Sequence, residues 1–278
     1  MLTSDFNSII DSIPIKPYYR DEQADIVIYC ADCRDILPHI LQGCIDLIIT
    51  SPPYNVGRWY NEEHISDRKP YSDYLDFIRQ IMAECYRVLT SGGRIAVNVP
   101  SSILQSSCWR MAYLSLDFSL ILREVGFLDR EWITWIKMPR GGLPGKSTSW
   151  GSWKKASCPY LRDASEFILV MDKESHKLLK QGESDIRTDE FLKFTTNCWY
   201  MKPETNRKHP APFPEELPYR LMKLYTYKQV LILDPFLGWG TTAWVAKKLG
   251  RKCIGIEIEE RYAEMSAKRL SQSVMRLQ

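Results

Sequence analysis

No apolar run in the chain approaches the length needed to cross a bilayer, which excludes a membrane-spanning reading at the outset. The segment Met1–Arg20 is polar and broken by Pro14 and Pro17, without the apolar centre of a secretory leader, so a cytoplasmic chain with reduced thiols is expected. Paired cysteine spacing is missing too. Of eight cysteines only Cys30 and Cys33 stand close together, and no second pair or nearby histidine completes a tetrahedral set. No metal is expected; a strand cysteine beside a loop cysteine accounts for the pair. There is no internal repeat, no low-complexity tail and no strong charge of either sign. The net charge of +3 is compatible with a polyanionic partner but does not by itself call for one.

What is present is an α/β pattern. The β-branched runs Asp25–Cys30, Asp46–Thr50, Arg94–Val99, Gln229–Leu233 and Lys252–Ile258 read as buried parallel strands. Amphipathic stretches lie between them, clearest at Tyr71–Leu89 and Thr242–Leu249, and Glu131–Lys137 and Glu166–Met171 are two further strand candidates. The regularity fails over 138–160, rich in Gly, Ser, Trp and Lys, and again from Lys173 to Arg207, which is charged and weakly periodic. Irregular stretches of that length are usually functional or inserted.

Two segments carry chemistry. In Leu231–Gly240 a strand delivers Asp234, then Pro235 and Phe236, to a turn where Gly238 and Gly240 allow close approach to a ligand, and Thr241 and Thr242 open a helix. The next strand ends in Glu257, an acid suited to accept from ribose hydroxyls. A dinucleotide loop would carry a third glycine where Ala243 stands. This points instead to a nucleoside with an amino-acid tail, whose ammonium Asp234 could hold; an ordinary strand–turn–helix is the alternative. Asp32, directly after the first strand, could accept from an adenine amine.

The other segment is Thr50-Ser51-Pro52-Pro53-Tyr54-Asn55. Two prolines fix φ and remove two amide donors, which leaves a rigid turn with outward carbonyl acceptors. An aromatic amine is a poor nucleophile because its lone pair is delocalised. The Ser51 hydroxyl and the Pro52 carbonyl could hold both amino hydrogens, turning the nitrogen tetrahedral with its lone pair aimed at a methyl donor. Tyr54 offers a flat face for an extruded base. A purely structural Pro-Pro turn is the alternative.

With both motifs in this order, the chain resembles the amino-methyltransferases of DNA in their β arrangement. There the (D/N/S)-P-P-Y motif precedes the target-recognition region, and F-x-G-x-G lies near the C-terminus. The resemblance runs from about Ile26 to Leu270. It implies a Rossmann-like fold dependent on S-adenosylmethionine, with seven mostly parallel strands, one of them antiparallel, and Glu131–Lys137 and Glu166–Met171 forming the reversed pair. It also implies that Asp32 contacts the adenine and Glu257 the ribose, and that the segment from His209 through Phe213 to Leu217 closes over the methionine end. Residues 1–23 form an N-terminal arm before a domain spanning 24–278. Recognition elements are expected at about 138–160 and 173–202, with Lys137, Arg140, Lys146, Lys154 and Lys155 on phosphates and Trp150 and Trp153 wedging or stacking. Members with Ser at the Ser51 position mostly methylate N4 of cytosine, and those with Asp mostly N6 of adenine. Methylation at cytosine C5 is excluded on separate grounds, since that family's Pro-Cys pair is absent. Duplex DNA is the expected partner, with a restriction endonuclease as a genetic one and a monomeric or homodimeric state. An adenine-N6 enzyme, a catalytically silent specificity partner and an RNA substrate stay open. Trp239, where the family more often has a small residue, is the one departure in the glycine loop.

Overall fold

The computed structural model describes residues 5–57, 69–105, 110–137, 151–159, 161, 164–204 and 212–272. Along the chain these form α1 (Phe6–Asp11), β1 (Tyr19–Asp21), β2 (Ile26–Cys30), α2 (Cys33–Ile36), β3 (Ile45–Thr50), α3 (Tyr71–Val88) and β4 (Leu89–Pro100). A small hairpin of β5 (Ile103–Gln105) and β6 (Arg110–Ala112) follows, then α4 (Leu114–Val125), β7 (Leu128–Lys137) and β8 (Ser165–Asp172). The remainder is α5 (Thr188–Phe194), β9 (Cys198–Met201), α6 (Glu216–Tyr225), β10 (Leu231–Asp234), α7 (Thr241–Lys248), β11 (Lys252–Glu257) and α8 (Glu260–Leu270).

Among the described residues, nine strands share one sheet in the order β1-β2-β11-β10-β3-β4-β8-β7-β9. The run from β2 to β7 is the expected seven. Its first five strands are mutually parallel, and β8 lies antiparallel to both β4 and β7. Two further strands extend the edges beyond that expectation, β1 antiparallel on β2 and β9 parallel on β7. The central strands are apolar on both faces because both faces are covered. Ile48 and Leu233 point into a layer formed by α1, α3 and α4, whereas Leu47, Ile49 and Ile232 point into one formed by α6, α7 and α8. On α3 the buried positions Tyr74, Ile78, Ile81, Met82, Cys85 and Val88 trace a single helical stripe. The N-terminal arm is part of this packing, since Phe6, Ile9, Ile10 and Ile13 are buried in the first layer.

Residues 173–187 bind the sheet at the amino ends of its parallel strands. Lys173 Nζ donates to the Leu89 carbonyl (2.8 Å), Lys180 pairs with Asp46 at the start of β3 (2.9 Å), and Asp185 takes two bonds from Arg251, just before β11 (2.6 and 2.7 Å). The strap passes so close to Gly92 (φ +76°) that a Cβ there would stand 2.1 Å from the Lys177 carbonyl oxygen. Of the segment 173–202, expected as a second recognition element, residues 173–187 therefore lie at the edge opposite the carboxyl ends. Ion pairs and hydrogen bonds hold them there. Only β9 rises beside β7, reaching Met201 level with Lys137.

Candidate active site

Parallel strands deliver their following loops to one edge, and ligands bind in the crevice there. Here β2 delivers Asp32, β3 delivers Ser51–Tyr54, β10 delivers the glycine loop and β11 delivers Glu257. Between them lies a cavity of about 320 Å³. Its wall includes Asp32, Ser51, Tyr54, Phe236, Trp239 and Glu257, so both sequence motifs open on one space. Pro52, Pro53, Phe213, Pro235, Gly238 and Thr241 also reach it.

The glycine loop is held from beneath. Gly240 caps α7 in the left-handed region (φ +88°), and a Cβ there would collide with Ser266 of α8 at 2.8 Å. Ser266 in turn donates to the Gly238 carbonyl (2.9 Å). The Gly238 N–H donates to one Glu257 carboxylate oxygen (2.7 Å), and the Glu259 N–H donates to the other (2.9 Å). Glu257 is buried with no cation beside it among the described residues, and burial pushes its carboxyl up to about 7. Two backbone donors leave lone pairs over for hydroxyl donors from a ligand.

Asp234 sits differently from the expectation. It is fully buried under the loop and does not line the cavity. Thr50 (2.8 Å) and Thr242 (2.6 Å) donate to its two oxygens, and the Phe236 N–H adds a third bond (3.1 Å). Burial raises its carboxyl to about 6 against the pull of these donors. The geometry makes it a pin joining β3, β10 and α7. Thr242, buried with it, and Gly240 likewise support the loop from behind. Asp32 does face the cavity, with Arg34 forked onto its carboxylate (3.1 and 2.6 Å). Burial alone would raise its pKa, but the Arg34 bonds and charge hold it below the ordinary range. Among the expected cofactor residues, His209 lies outside the described residues.

The Pro-Pro turn is anchored from both sides. Tyr74 Oη donates to the Pro53 carbonyl (2.8 Å), while no described residue donates to that of Pro52. Ser51 Oγ and Tyr54 Oη are 2.7 Å apart, and both approach the Asn98 carbonyl, at 3.3 and 3.2 Å. Sequence reasoning missed Asn98 and Glu166. The Asn98 amide donates to Tyr54 Oη (3.1 Å) and to Glu166 (2.6 Å). The available signal was a lone polar residue inside the apolar run Arg94–Val99 of β4, here 2% exposed.

The expected DNA contacts divide. Lys137 turns its ammonium onto Glu166 in an ion pair instead of facing outward. Trp153 is exposed, with the Lys154 ammonium 5.5 Å from its ring centroid, and Lys155 is exposed beside them. Arg140, Lys146 and Trp150 lie outside the described residues. Trp239 packs under the Arg269 guanidinium (4.2 Å to the ring centroid), and its buried indole N–H has no partner. No group of three or more metal-ligating side chains occurs among the described residues, and no helix there is long and apolar enough to cross a membrane.

Comparison with known proteins places the chain in a family. A family model described as DNA methylase, of N6/N4 type, matches residues 45–268. The Type II methyltransferase M.BglII of Bacillus subtilis is 30% identical over 261 residues, covering 88% of this chain and 68% of that one. The Thermus thermophilus protein TTHA0409, solved in complex with S-adenosyl-L-methionine, superposes with a TM-score of 0.68 at 26% identity, covering 88% of this chain and 92% of that one. The PvuII DNA methyltransferase, a cytosine-N4-specific enzyme, superposes with a TM-score of 0.74 over 95% of this chain and 92% of its own, and at 22% identity that likeness speaks for the fold alone.

Proposed function

The chain belongs to the N6/N4 DNA methylase family, and on that premise we propose that it methylates the exocyclic N4 of cytosine at a specific site in duplex DNA, within a restriction-modification pair. It is a DNA methyltransferase, and its cofactor, S-adenosylmethionine, supplies an electrophilic methyl group on a sulfonium. The residues present fit that group. Glu257 offers a buried carboxylate to ribose hydroxyls, and side-chain-free Gly238 lets a ligand approach the loop backbone. The observation that carries the proposal is that Ser51, Pro52 and Tyr54 line the same cavity as Glu257. An amino group held at the turn therefore meets a nucleoside-bound methyl donor without crossing solvent.

Ser51 Oγ and the Pro52 carbonyl accept the two amino hydrogens of a base stacked on Tyr54. The nitrogen lone pair, no longer conjugated with the ring, forms its bond to the methyl carbon as the carbon–sulfur bond breaks. The extra proton leaves the nitrogen afterwards, and catalysis rests on positioning. Cytosine is favoured because Ser51 stands where adenine-specific relatives mostly carry Asp. Adenine N6 is the second reading, since adenine also presents an amine donor beside a ring acceptor. Mass spectrometry of nucleosides from duplex DNA incubated with the protein and cofactor tests this. N4-methylcytosine is expected. N6-methyladenine would overturn the base assignment and keep the reaction; cofactor binding with no modified base would mark a silent specificity partner.

A further inference from the structure

Behind the catalytic turn runs a chain of polar groups that the transfer itself does not account for. Glu166, at the start of β8, takes the Lys137 ammonium on one oxygen and the Asn98 amide on the other (2.6 Å). A carboxylate only accepts, so the NH₂ of Asn98 must face it, and the second amide hydrogen then points at Tyr54 Oη (3.1 Å). This orientation leaves Asn98 Oδ1 buried without a partner. An amide rotated by half a turn would give Oδ1 a donor in the tyrosine hydroxyl but would set it against the Glu166 carboxylate. The carboxylate decides the matter.

The orientation has a consequence for Ser51. With its oxygen accepting from Asn98, Tyr54 has two acceptors for its own proton, the Asn98 carbonyl at 3.2 Å and Ser51 Oγ at 2.7 Å, and the closer one, Ser51, takes it. Among the described residues the serine proton then has only the Asn98 carbonyl at 3.3 Å, a long bond readily exchanged for a better acceptor. Cytosine offers one, the ring nitrogen beside its amino group. With the amide reversed the chain would run backwards: Ser51 would donate to Tyr54 and Tyr54 to Oδ1, and the serine would show only lone pairs to the base. We infer that Glu166 and Asn98 are positioning residues that set the direction of this hydrogen-bond chain, so that Ser51 accepts from the target amine and donates to the adjacent ring nitrogen at the same time. The inference rests on the proposed reaction at Ser51–Tyr54. Lys137 pairs with the other Glu166 oxygen and takes no other part.

The test is steady-state transfer of labelled methyl from S-adenosylmethionine to bacterial genomic DNA by the full chain, with cofactor binding and melting temperature measured beside it. Glu166→Gln permits the reversed amide, because a glutamine NH₂ can face Oδ1. Its kcat should fall about tenfold, with KM for DNA, which phosphate contacts dominate, and cofactor Kd unchanged. Glu166→Asp, which keeps an acceptor-only carboxylate, should recover most of that loss, and Asn98→Ala should match Glu166→Gln. Unchanged kcat in Glu166→Gln overturns the inference. So does a loss that tracks the melting temperature or cofactor Kd, or one that Glu166→Asp does not recover, because a packing role would behave that way. No transfer by the unaltered protein would instead remove the proposed reaction on which the inference stands.

Discussion

The two edges of the central sheet treat buried polar groups in opposite ways. At the amino ends of the parallel strands the buried Arg251, Arg94 and Asp172 and the half-buried Asp185 are each paired with an opposite charge. Arg251, wholly buried, forks onto Asp185, which Lys223 also approaches (3.2 Å); Arg94 pairs with Asp172, which Arg130 and His176 share. Burial alone would raise the Asp185 carboxyl, and the Arg251 guanidinium instead brings it below the ordinary range. At the carboxyl ends Asp234 and Glu257 are buried without a cation among the described residues and rise to about 6 and about 7. Two of the three unpartnered buried side-chain atoms found among the described residues, Asn98 Oδ1 and Trp239 Nε1, lie at this end. One edge is completed by the chain itself. The other is completed by what binds there, which is the arrangement expected where function and stability compete for the same groups.

The largest effect should come from breaking the matched edge. Asp185→Asn strands a fully buried guanidinium, and a loss of about 3 kcal/mol is expected, read as a melting temperature lower by roughly 6 °C or more. Turnover per folded molecule should be unchanged, and a selective loss of activity would show the two edges to be coupled. Next comes Tyr54→Ala at the open edge. It removes the stacking face and the anchor of Ser51, so kcat should fall by about 100-fold with cofactor affinity unchanged. A matching loss of cofactor binding would erase the division between the catalytic turn and the cofactor wall.

The smallest effect sharpens the contrast through pH. Glu257 binds its proton more tightly folded (about 7) than in its ordinary state (4.5). Its contribution to stability is therefore greatest at acid pH, declines as pH rises between those values, and is flat above about 7. Ribose hydroxyls donate to the ionised carboxylate, so cofactor affinity should rise about tenfold from pH 6 to pH 8. Glu257→Gln should bind more weakly at pH 8 and lose the slope. Calorimetry across that range decides it, and a pH-independent Kd in the unaltered protein would mean that Glu257 is not the ribose acceptor.

Much of this was legible in the residues because each signal is local. A buried parallel strand needs only its apolar run, and Asp46–Thr50 and Arg94–Val99 carry it unmistakably. A Pro-Pro turn fixes its own backbone, and a strand end places the acid that follows it. What stayed hidden depends on partners distant in sequence. That Thr50, 184 residues away in sequence, donates to Asp234 shows only in the fold. Lys137 reads as a phosphate contact until Glu166 is found beside it across β7 and β8.

By itself the sequence determined the α/β class, the strands and the two motifs, because periodicity, proline geometry and glycine permissiveness act over a few residues. Only the tertiary structure decided that residues 173–187 strap the amino edge, that Asp234 lies under the site and Glu257 in it, and that Asn98 and Glu166 stand behind Ser51. Those outcomes turn on which charges are buried together, and burial is a property of the packed sheet.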